Sequence, residues 1–471
     1  MITIPLNPGT GIPLYEQIYL FLREEIRAGV YPCRMKLPST RSLASHLQVS
    51  RNTVDLAYAH LLSEGYIEAV PKSGYFVSEV AALLHLQNTG PQPASSAPPA
   101  GPAAEIDFSP FSVDLEHFPV SVWRKLAREV LQETDNSLFL QGDNQGDREL
   151  RQAIMEYLHQ SRGVHCRMEQ IIVGAGADYL LQLLVRLFPE GLSVAMEDPA
   201  YMQACHIFNG LHIPVVPVPL DASGIRVDCL KKEPCTLTYV TPSHQFPMGV
   251  SMSVKRRLEL LRFAAETDSY IIEDDHDSEF RYRGKPLSSL QGLDTSGRVI
   301  YLGTFSRAVA PAIRVGYMVL PLSLLAVYRE RFSYYSCTVS RIDQKILQRF
   351  LSDGYFERHI NRMRKIYGAK HDAMLHAMKC FGNHVQIQGG HAGLHLTASF
   401  SVSLPEKELR KQALNAGIRL YGLNDHRIRP ARDTASGVVT LLMGYANLPA
   451  DKIDEGIRRL YNLMLPWFPI S

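Results

Sequence analysis

Apolar positions recur along the chain with three different patterns. Leu14, Ile18, Phe21, Leu22 and Ile26 fall at helical spacing, and Gly29 stops that helix. Ser39 or Thr40 can cap a short helix running to about Leu47, with Gln48 and Val49 as a tight turn. Ser50 then caps a second helix with Val54, Ala57, Leu61 and Leu62 on its buried face and Gly65 at its end. Tyr66 to Val70, the turn Pro71-Lys72-Ser73-Gly74, and Tyr75 to Val77 read as strand, turn and strand. Residues 81–105 lose all periodicity; rich in Pro, Ala and Ser and without aromatics, they read as a linker. From Ile106 to Ser471 short apolar runs alternate with helical patterns, which predicts an α/β domain on a mainly parallel central sheet. Its candidate strands are Ile171 to Val173, Ser193 to Ala195, Leu237 to Val240, Tyr270 to Ile272, Val299 to Leu302 and Val315 to Leu320. From about Ser340 a long charged helical region leads into an α+β piece.

Composition narrows this picture. A chain of 471 residues, 46% hydrophobic, can hold more than one domain and a large core. A net charge of +2 excludes a polycation. The 7 cysteines include no C-x-x-C pair, which suits reduced thiols. With no signal peptide and no apolar run that spans a bilayer, a cytoplasmic protein without a membrane partner is expected. Residues 1–80 hold seven basic and seven acidic side chains, yet between Ile26 and Val54 there are five bases and no acid. That stretch is where phosphates would be met.

Helix, helix-turn-helix and hairpin in this order make a winged helix-turn-helix. The segments P-S-T-R-S-L-A, S-R-N-T-V and Lys72-Ser73-Gly74-Tyr75-Phe76-Val77 closely resemble the GntR family of bacterial regulators. The resemblance implies a double-stranded DNA operator as partner. Arg51, Asn52 and Thr53, opening the second helix, are the candidates for base edges. Lys36, Ser39, Arg41 and Ser50 complete the candidate DNA face, with Lys72 and Gly74 on the wing. The bland alternative is a helical domain with solvated charges.

Between the runs at 299–302 and 315–320 lies a hinge carrying Gly303, Thr304, Ser306, Arg307 and Arg314. Hydroxyls and an arginine converging there suit a phosphate. This stretch, G-T-F-S-R-A-V-A-P-A-I-R-V-G-Y, resembles the G-T-F-S-K-x-x-x-P-x-x-R-x-G-Y segment of fold-type I aminotransferases in the version carried by MocR/GabR-type regulators. I-D-F-S-P, E-D-P-A-Y, T-P-S-H-Q-F-P-M-G, I-I-E-D-D-H-D-S-E-F-R-Y and L-L-M-G-Y-A follow the same family, so the resemblance covers 106–471 almost continuously. It implies a pyridoxal 5′-phosphate (PLP) cradle. In the family a lysine forms a Schiff base with PLP; here Arg307 stands in its place, and a guanidinium is no amine nucleophile.

The family's roles carry over by position. Gly176 and Ala177, opening an apolar helix, offer backbone N–H groups to the phosphate, with Thr304, Ser306 and Arg314. Tyr201 matches the aromatic that stacks on the ring, and Asp274 the acid that pairs with the ring nitrogen. His276 stands where the family usually has a tyrosine. Asp178 would repel a phosphate unless it points away or pairs with an arginine. Leu442 stands where aminotransferases carry the arginine that grips the substrate carboxylate; Arg427, Arg429 and Arg432 in the preceding loop could supply a cation. Arg307 could fill the lysine's space, pair with Asp274, or bind an anion. No metal is expected: His244, His276, His391 and His395 lack zinc spacing, and Asp274, Asp275 and Asp277 belong to the family motif.

The reading favoured is a bacterial DNA-binding transcription regulator. A winged helix at 1–80 is joined by the linker 81–105 to an aminotransferase-like effector domain at 106–471. The effector is PLP, an amino compound or another anion, held without a Schiff base. Resemblance implies a head-to-tail homodimer reading two half-sites. The alternative is a PLP-dependent aminotransferase with a DNA-binding head, which the missing lysine argues against. A third reading is a PLP-free binding module whose pocket holds some other anion or nothing; it differs from the first in ligand, not in output.

Overall fold

The computed structural model describes residues 2–7, 9, 11–79, 104–132, 136–233, 235–282, 287–390, 392–429 and 437–469. Chain contacts divide it into two compact units, 1–100 and 101–471.

The first unit holds α1 (Leu14–Arg27), α2 (Thr40–Leu47), α3 (Arg51–Ser63) and the antiparallel hairpin β1 (Ile67–Val70) and β2 (Gly74–Val77). The caps follow from local chemistry. The Ser39 Oγ accepts the Ser42 N–H at 3.2 Å, and the Ser50 Oγ accepts the Thr53 N–H at 3.2 Å. Gln48, left-handed at φ 53°, ends α2 and makes the tight turn into α3. The core joins Ile18, Leu22 and Ile26 of α1 to Val54, Ala57, Tyr58 and Leu61 of α3. One expectation needs correcting: Leu62 is only half-buried, and Tyr58 takes the buried position. The i, i+3, i+4 stripe of α3 runs 54–57–58–61, and the tyrosine is tolerated there because its hydroxyl donates to Pro38 O at 2.9 Å.

The second unit opens with β3 (Ile106–Asp107), paired in parallel with Ile418–Arg419. Its main sheet contains β4 (Ile171–Gly174), β5 (Val194–Asp198), β6 (Val215–Asp221), β7 (Gly224–Ile225), β8 (Leu237–Val240), β9 (Tyr270–Asp275), β10 (Val299–Thr304) and β11 (Gly316–Val319). The spatial order is β4-β11-β10-β9-β8-β5-β6-β7. The run from β10 to β6 is parallel; β11 is antiparallel to both neighbours, and β7 to β6. Every residue of β8, β11 and β4 is buried, as a sheet covered on both faces requires.

Two strands, β6 and β7, are not legible in the apolar pattern. The segment V-V-P-V-P-L-D carries two prolines, which argue against a strand. They are tolerated because the β7 ladder pairs Leu220 and Asp221 and asks for no N–H at Pro217 or Pro219, while the Pro219 carbonyl still accepts the Arg226 N–H at 3.0 Å. Beyond Ser340 come helices Arg341–Ser352 and Tyr355–Ala377 and a four-stranded antiparallel sheet, the α+β piece expected.

Most of the expected linker, with Arg432 and His391, lies outside the described residues. Glu105, placed in that linker, is tied into the second unit by ion pairs to Lys452 and Arg459, both at 2.9 Å. All seven cysteines carry free thiols. Among the described residues no helix is long and apolar enough to cross a membrane.

Candidate functional site

In the large unit, the carboxyl ends of β9 and β10 and the start of the helix Ala177–Val185 converge on one pocket. β9 brings Asp274 and, just beyond it, His276. β10 ends in Thr304, followed by Ser306 and Arg307. Arg314 arrives from the turn before β11. Ala177, Tyr201, Gln203 and Phe246 close the remaining sides. The parallel register Leu302↔Asp274 sets the two strands level, so residues 33 apart in sequence line one cavity. Brought together are Ala177, Tyr201, Asp274, His276, Thr304, Ser306, Arg307 and Arg314.

At one end, Arg314 sits in left-handed backbone, φ 51°. Its Nη2 pairs with Asp178 Oδ2 at 2.9 Å, and Gln203 Nε2 donates to Asp178 Oδ1 at 2.9 Å. Asp178 therefore does pair with an arginine. Gly176 caps the helix at φ 85°, and a Cβ there would stand 2.8 Å from Arg314 Nη2, so only glycine lets the guanidinium lie against this turn. The Ala175 N–H is already given to Thr338 Oγ1 at 2.9 Å.

At the centre, burial pushes the Asp274 carboxyl up to about 7; the Tyr239 hydroxyl, which donates to it, opposes this, and Asp275 and Asp277 reinforce it. Burial likewise pushes His276 down to about 4, against the pull of Asp277, and Arg307 adds to the depression. Its Nε2 is buried without a hydrogen-bond partner. Burial opposes ionisation of Asp277 too, yet the His244 and His276 rings beside it hold its carboxyl far below the usual range. His244 Nδ1 lies 3.0 Å from Asp277 Oδ2. Donor atoms of His244, His276 and Asp277 come within 4.8 Å of one another, a proximity that sequence spacing did not reveal. His244 already engages the carboxylate, so the cluster is knitted by a hydrogen bond.

Of the three fates considered for Arg307, the ion pair with Asp274 is not made. Its Nη1 donates to Pro110 O at 2.8 Å, and its guanidinium lies over the Phe111 ring at 5.9 Å from the centroid. Tyr201 packs edge-on against Phe246, centroids 5.8 Å apart, and donates its hydroxyl to Gln203 Oε1 at 2.9 Å. Burial pushes that phenol up to about 12. Leu442 is fully buried in the strand Val438–Gly444 opposite Thr397 and contributes nothing to the pocket. The backbone N–H groups of Ile428 and Arg429 hold Asp198, at 3.0 and 3.4 Å.

Sequence reasoning missed Tyr239, Gln203, Phe246 and the Pro110-Phe111 contact. Phe246 was legible as the residue after S-H-Q. Tyr239 reads as one more apolar strand position until Asp274 is placed beside it.

In the small unit, Arg41, Arg51 and Asn52 are exposed, as are Lys36 and Lys72. Arg51 Nε lies 3.4 Å from Asp55 Oδ2 across one helical turn. The Ser39 and Ser50 hydroxyls act as helix caps, and Ser50 Oγ lies 2.8 Å from Thr53 Oγ1, so these three hydroxyls are partly engaged within the fold. Lys36 lies beside β2, with its Nζ 5.8 Å from the Phe76 ring centroid. Lys72 at φ 62° and Gly74 at φ 113° shape the hairpin turn.

Comparison with known proteins agrees with both units. Residues 14–77 match the model of bacterial regulatory proteins of the gntR family, and 110–459 match aminotransferase class I and II. The chain is 42% identical over 466 residues to the HTH-type transcriptional regulator YdeL of Bacillus subtilis, covering 98% of each. It is 32% identical to the HTH-type pyridoxine biosynthesis transcriptional regulator PdxR of Corynebacterium glutamicum, covering 83% of this chain and 84% of that one. The multiple substrate aminotransferase of Thermococcus profundus superposes with a TM-score of 0.70 at 27% identity, covering 78% of this chain and 92% of that one. With its winged-helix head and its fold-type I body, the chain belongs to the family of HTH-type regulators that join a GntR-type domain to an aminotransferase class I and II domain.

Proposed function

We propose that the protein is a DNA-binding transcription regulator that senses a small ligand in its aminotransferase-like body and does not transaminate. In this reading 1–80 is the DNA-binding domain, 81–105 the linker and 106–471 the effector domain, and a homodimer presents two heads to two half-sites. Arg307 carries the non-enzymatic part: the pocket meets its ligand with a guanidinium where an amine nucleophile is required.

The pocket's remaining donors suit PLP held without a covalent bond. Asp274 would pair with the ring nitrogen; burial of the carboxyl, with Tyr239 as its hydrogen-bond donor, poises it to accept a cationic partner. The His276 Nε2, which makes no hydrogen bond and lies 3.5 Å from Asp277 Oδ1, could take a ring hydroxyl. Tyr201 and Phe246 offer aromatic faces or edges to the ring. Thr304, Ser306 and Arg314 would hold the phosphate. When bound, the cofactor supplies an electron-withdrawing ring. This chain's residues would bind and orient it, and the Arg307 guanidinium would offer hydrogen-bond donors and no amine nucleophile. An enzyme reading requires a base that moves a substrate proton, and among the described residues the pocket lining holds no lysine.

Two measurements test the proposal. Purified protein should bind its own upstream DNA with a steep loss of affinity on adding salt. PLP should bind reversibly by calorimetry and leave no pyridoxyl mass on the chain after borohydride. DNA binding indifferent to salt, or a lysine adduct within the pocket, overturns the respective half.

A further inference from the structure

We infer that Arg307 makes the pocket a reader of charge: it admits pyridine phosphates whose 4-position carries a neutral or anionic group and rejects those carrying an ammonium. The inference rests on the reading that the pocket takes a pyridine phosphate.

The argument starts from how little of Arg307 is engaged. A guanidinium has five N–H donors. Here a single protein acceptor is seen, the Pro110 carbonyl at 2.8 Å, and no carboxylate lies within ion-pair distance among the described residues. The other arginine of the pocket, Arg314, is already paired with Asp178. The two cations therefore differ in availability: Arg314 is ion-paired, whereas Arg307 has only the Pro110 carbonyl and the Phe111 ring for partners among the described residues. It is also half-buried, so its charge is screened less than a surface arginine's.

Orientation follows from the other groups. Asp274 is the buried acid for a ring nitrogen, and Arg314 marks the phosphate end. A ring held at its nitrogen by Asp274, with its phosphate on Thr304, Ser306 and Arg314, leaves its 4-substituent to meet Arg307, which follows β10 in the same lining. There an aldehyde oxygen accepts a guanidinium hydrogen bond, and a carboxylate accepts two in fork geometry. An aminomethyl group, protonated at neutral pH, meets a like charge with no carboxylate ion-paired to Arg307 to neutralise it. His276 cannot relieve the clash, since its Nε2, 3.5 Å from Asp277 Oδ1 and without a hydrogen bond, sits in a ring that burial holds neutral. Leu442, buried in its strand, supplies no competing cation for an anionic ligand. The substitution thus does more than remove a nucleophile. It changes which oxidation and amination state of the coenzyme the pocket can hold.

The experiment is calorimetric titration of the full chain with PLP, pyridoxamine 5′-phosphate and the 4-carboxylate analogue, pyridoxic acid 5′-phosphate. The native chain should bind the aldehyde at least tenfold more tightly than the amine, and the carboxylate at least as tightly as the aldehyde. Arg307→Met, similar in length and uncharged, should bring the amine and aldehyde within about threefold of each other. Equal binding of amine and aldehyde by the native chain overturns the inference and leaves the pocket reading standing. Failure of all three to bind, to native chain and to Arg307→Met alike, overturns the pocket reading and the inference with it.

Discussion

Arg314 and Asp178 form an ion pair at 2.9 Å at one end of the pocket, with Gln203 bonded to the other carboxylate oxygen. In the proposed reading, the Asp178 carboxylate stands where the ligand's phosphate would come. Asp178 and Arg314 are 34% and 52% exposed, so solvent weakens but does not erase that repulsion. Asp178→Asn keeps an oxygen for Gln203 and removes the charge. It should tighten binding of PLP and of inorganic phosphate by roughly tenfold at low salt, the gain shrinking as salt rises. Unchanged or weaker phosphate binding in this variant would mean that Asp178 serves to aim Arg314 rather than to compete with the ligand.

Arg307→Lys places an amine just beyond β10 with the other pocket residues untouched. Lysine is shorter and gives up the Pro110 contact, a solvent-accessible loss of about 1 kcal/mol. The variant should bind PLP covalently: borohydride should fix a pyridoxyl mass at position 307 in the variant and none in the native chain. If the variant stays unlabelled while binding PLP, the lysine position is not oriented toward the ring, and the correspondence of residue 307 with the family's anchor is wrong.

These residues show which parts of the molecule sequence could disclose. Ser39, Ser50, Gln48 and Gly176 were legible because caps and left-handed turns depend on chemistry within a few residues. The strands β8 to β11 were legible because a sheet covered on both faces needs continuous apolar runs. β6 was hidden by Pro217 and Pro219, whose tolerance depends on an edge that exists only once the sheet is assembled. In the pocket, motif residues could be assigned singly, but their partners could not. That Arg307 turns to Pro110, 197 residues earlier, and Asp274 to Tyr239 is set by tertiary proximity. Sequence left three fates open for Arg307 because nothing local decides among them.

Asp274 gives the pocket a pH signature. Its carboxyl is raised by burial to about 7, well above its unfolded range. A raised carboxyl favours the neutral form, so its stabilising contribution is complete below about pH 4 and is lost as pH climbs through 7. Asp274→Asn is neutral throughout. The stability difference, native minus variant, should therefore fall by roughly 2–4 kcal/mol between pH 4 and pH 8, since a tenfold change in proton affinity between folded and unfolded chain is worth about 1.4 kcal/mol. Urea denaturation of both chains at several pH values without ligand measures it. Parallel pH profiles would show that the carboxyl is not held neutral by its surroundings.

Two exposed cations of the head separate sequence reading from backbone grip. Arg51 opens α3, which the winged-helix geometry sends toward the major groove, and its only described ion pair is the exposed one with Asp55 at 3.4 Å. That pair is worth little, so DNA can displace it. Lys72 stands in the hairpin turn, fully outside the head's core. Arg51→Ala should weaken binding to the cognate operator by about 1–3 kcal/mol and bind unrelated duplex with much less change. Lys72→Met should weaken both kinds of DNA alike and lower the slope of log affinity against log salt by about 0.9. Lys72 has φ 62°, a strained conformation for any side chain, so methionine keeps the same strain and leaves the fold unaltered. Filter binding or anisotropy across a salt series reads both quantities. If Arg51→Ala instead loses cognate and unrelated DNA equally, α3 grips phosphates and sequence is read elsewhere in the head.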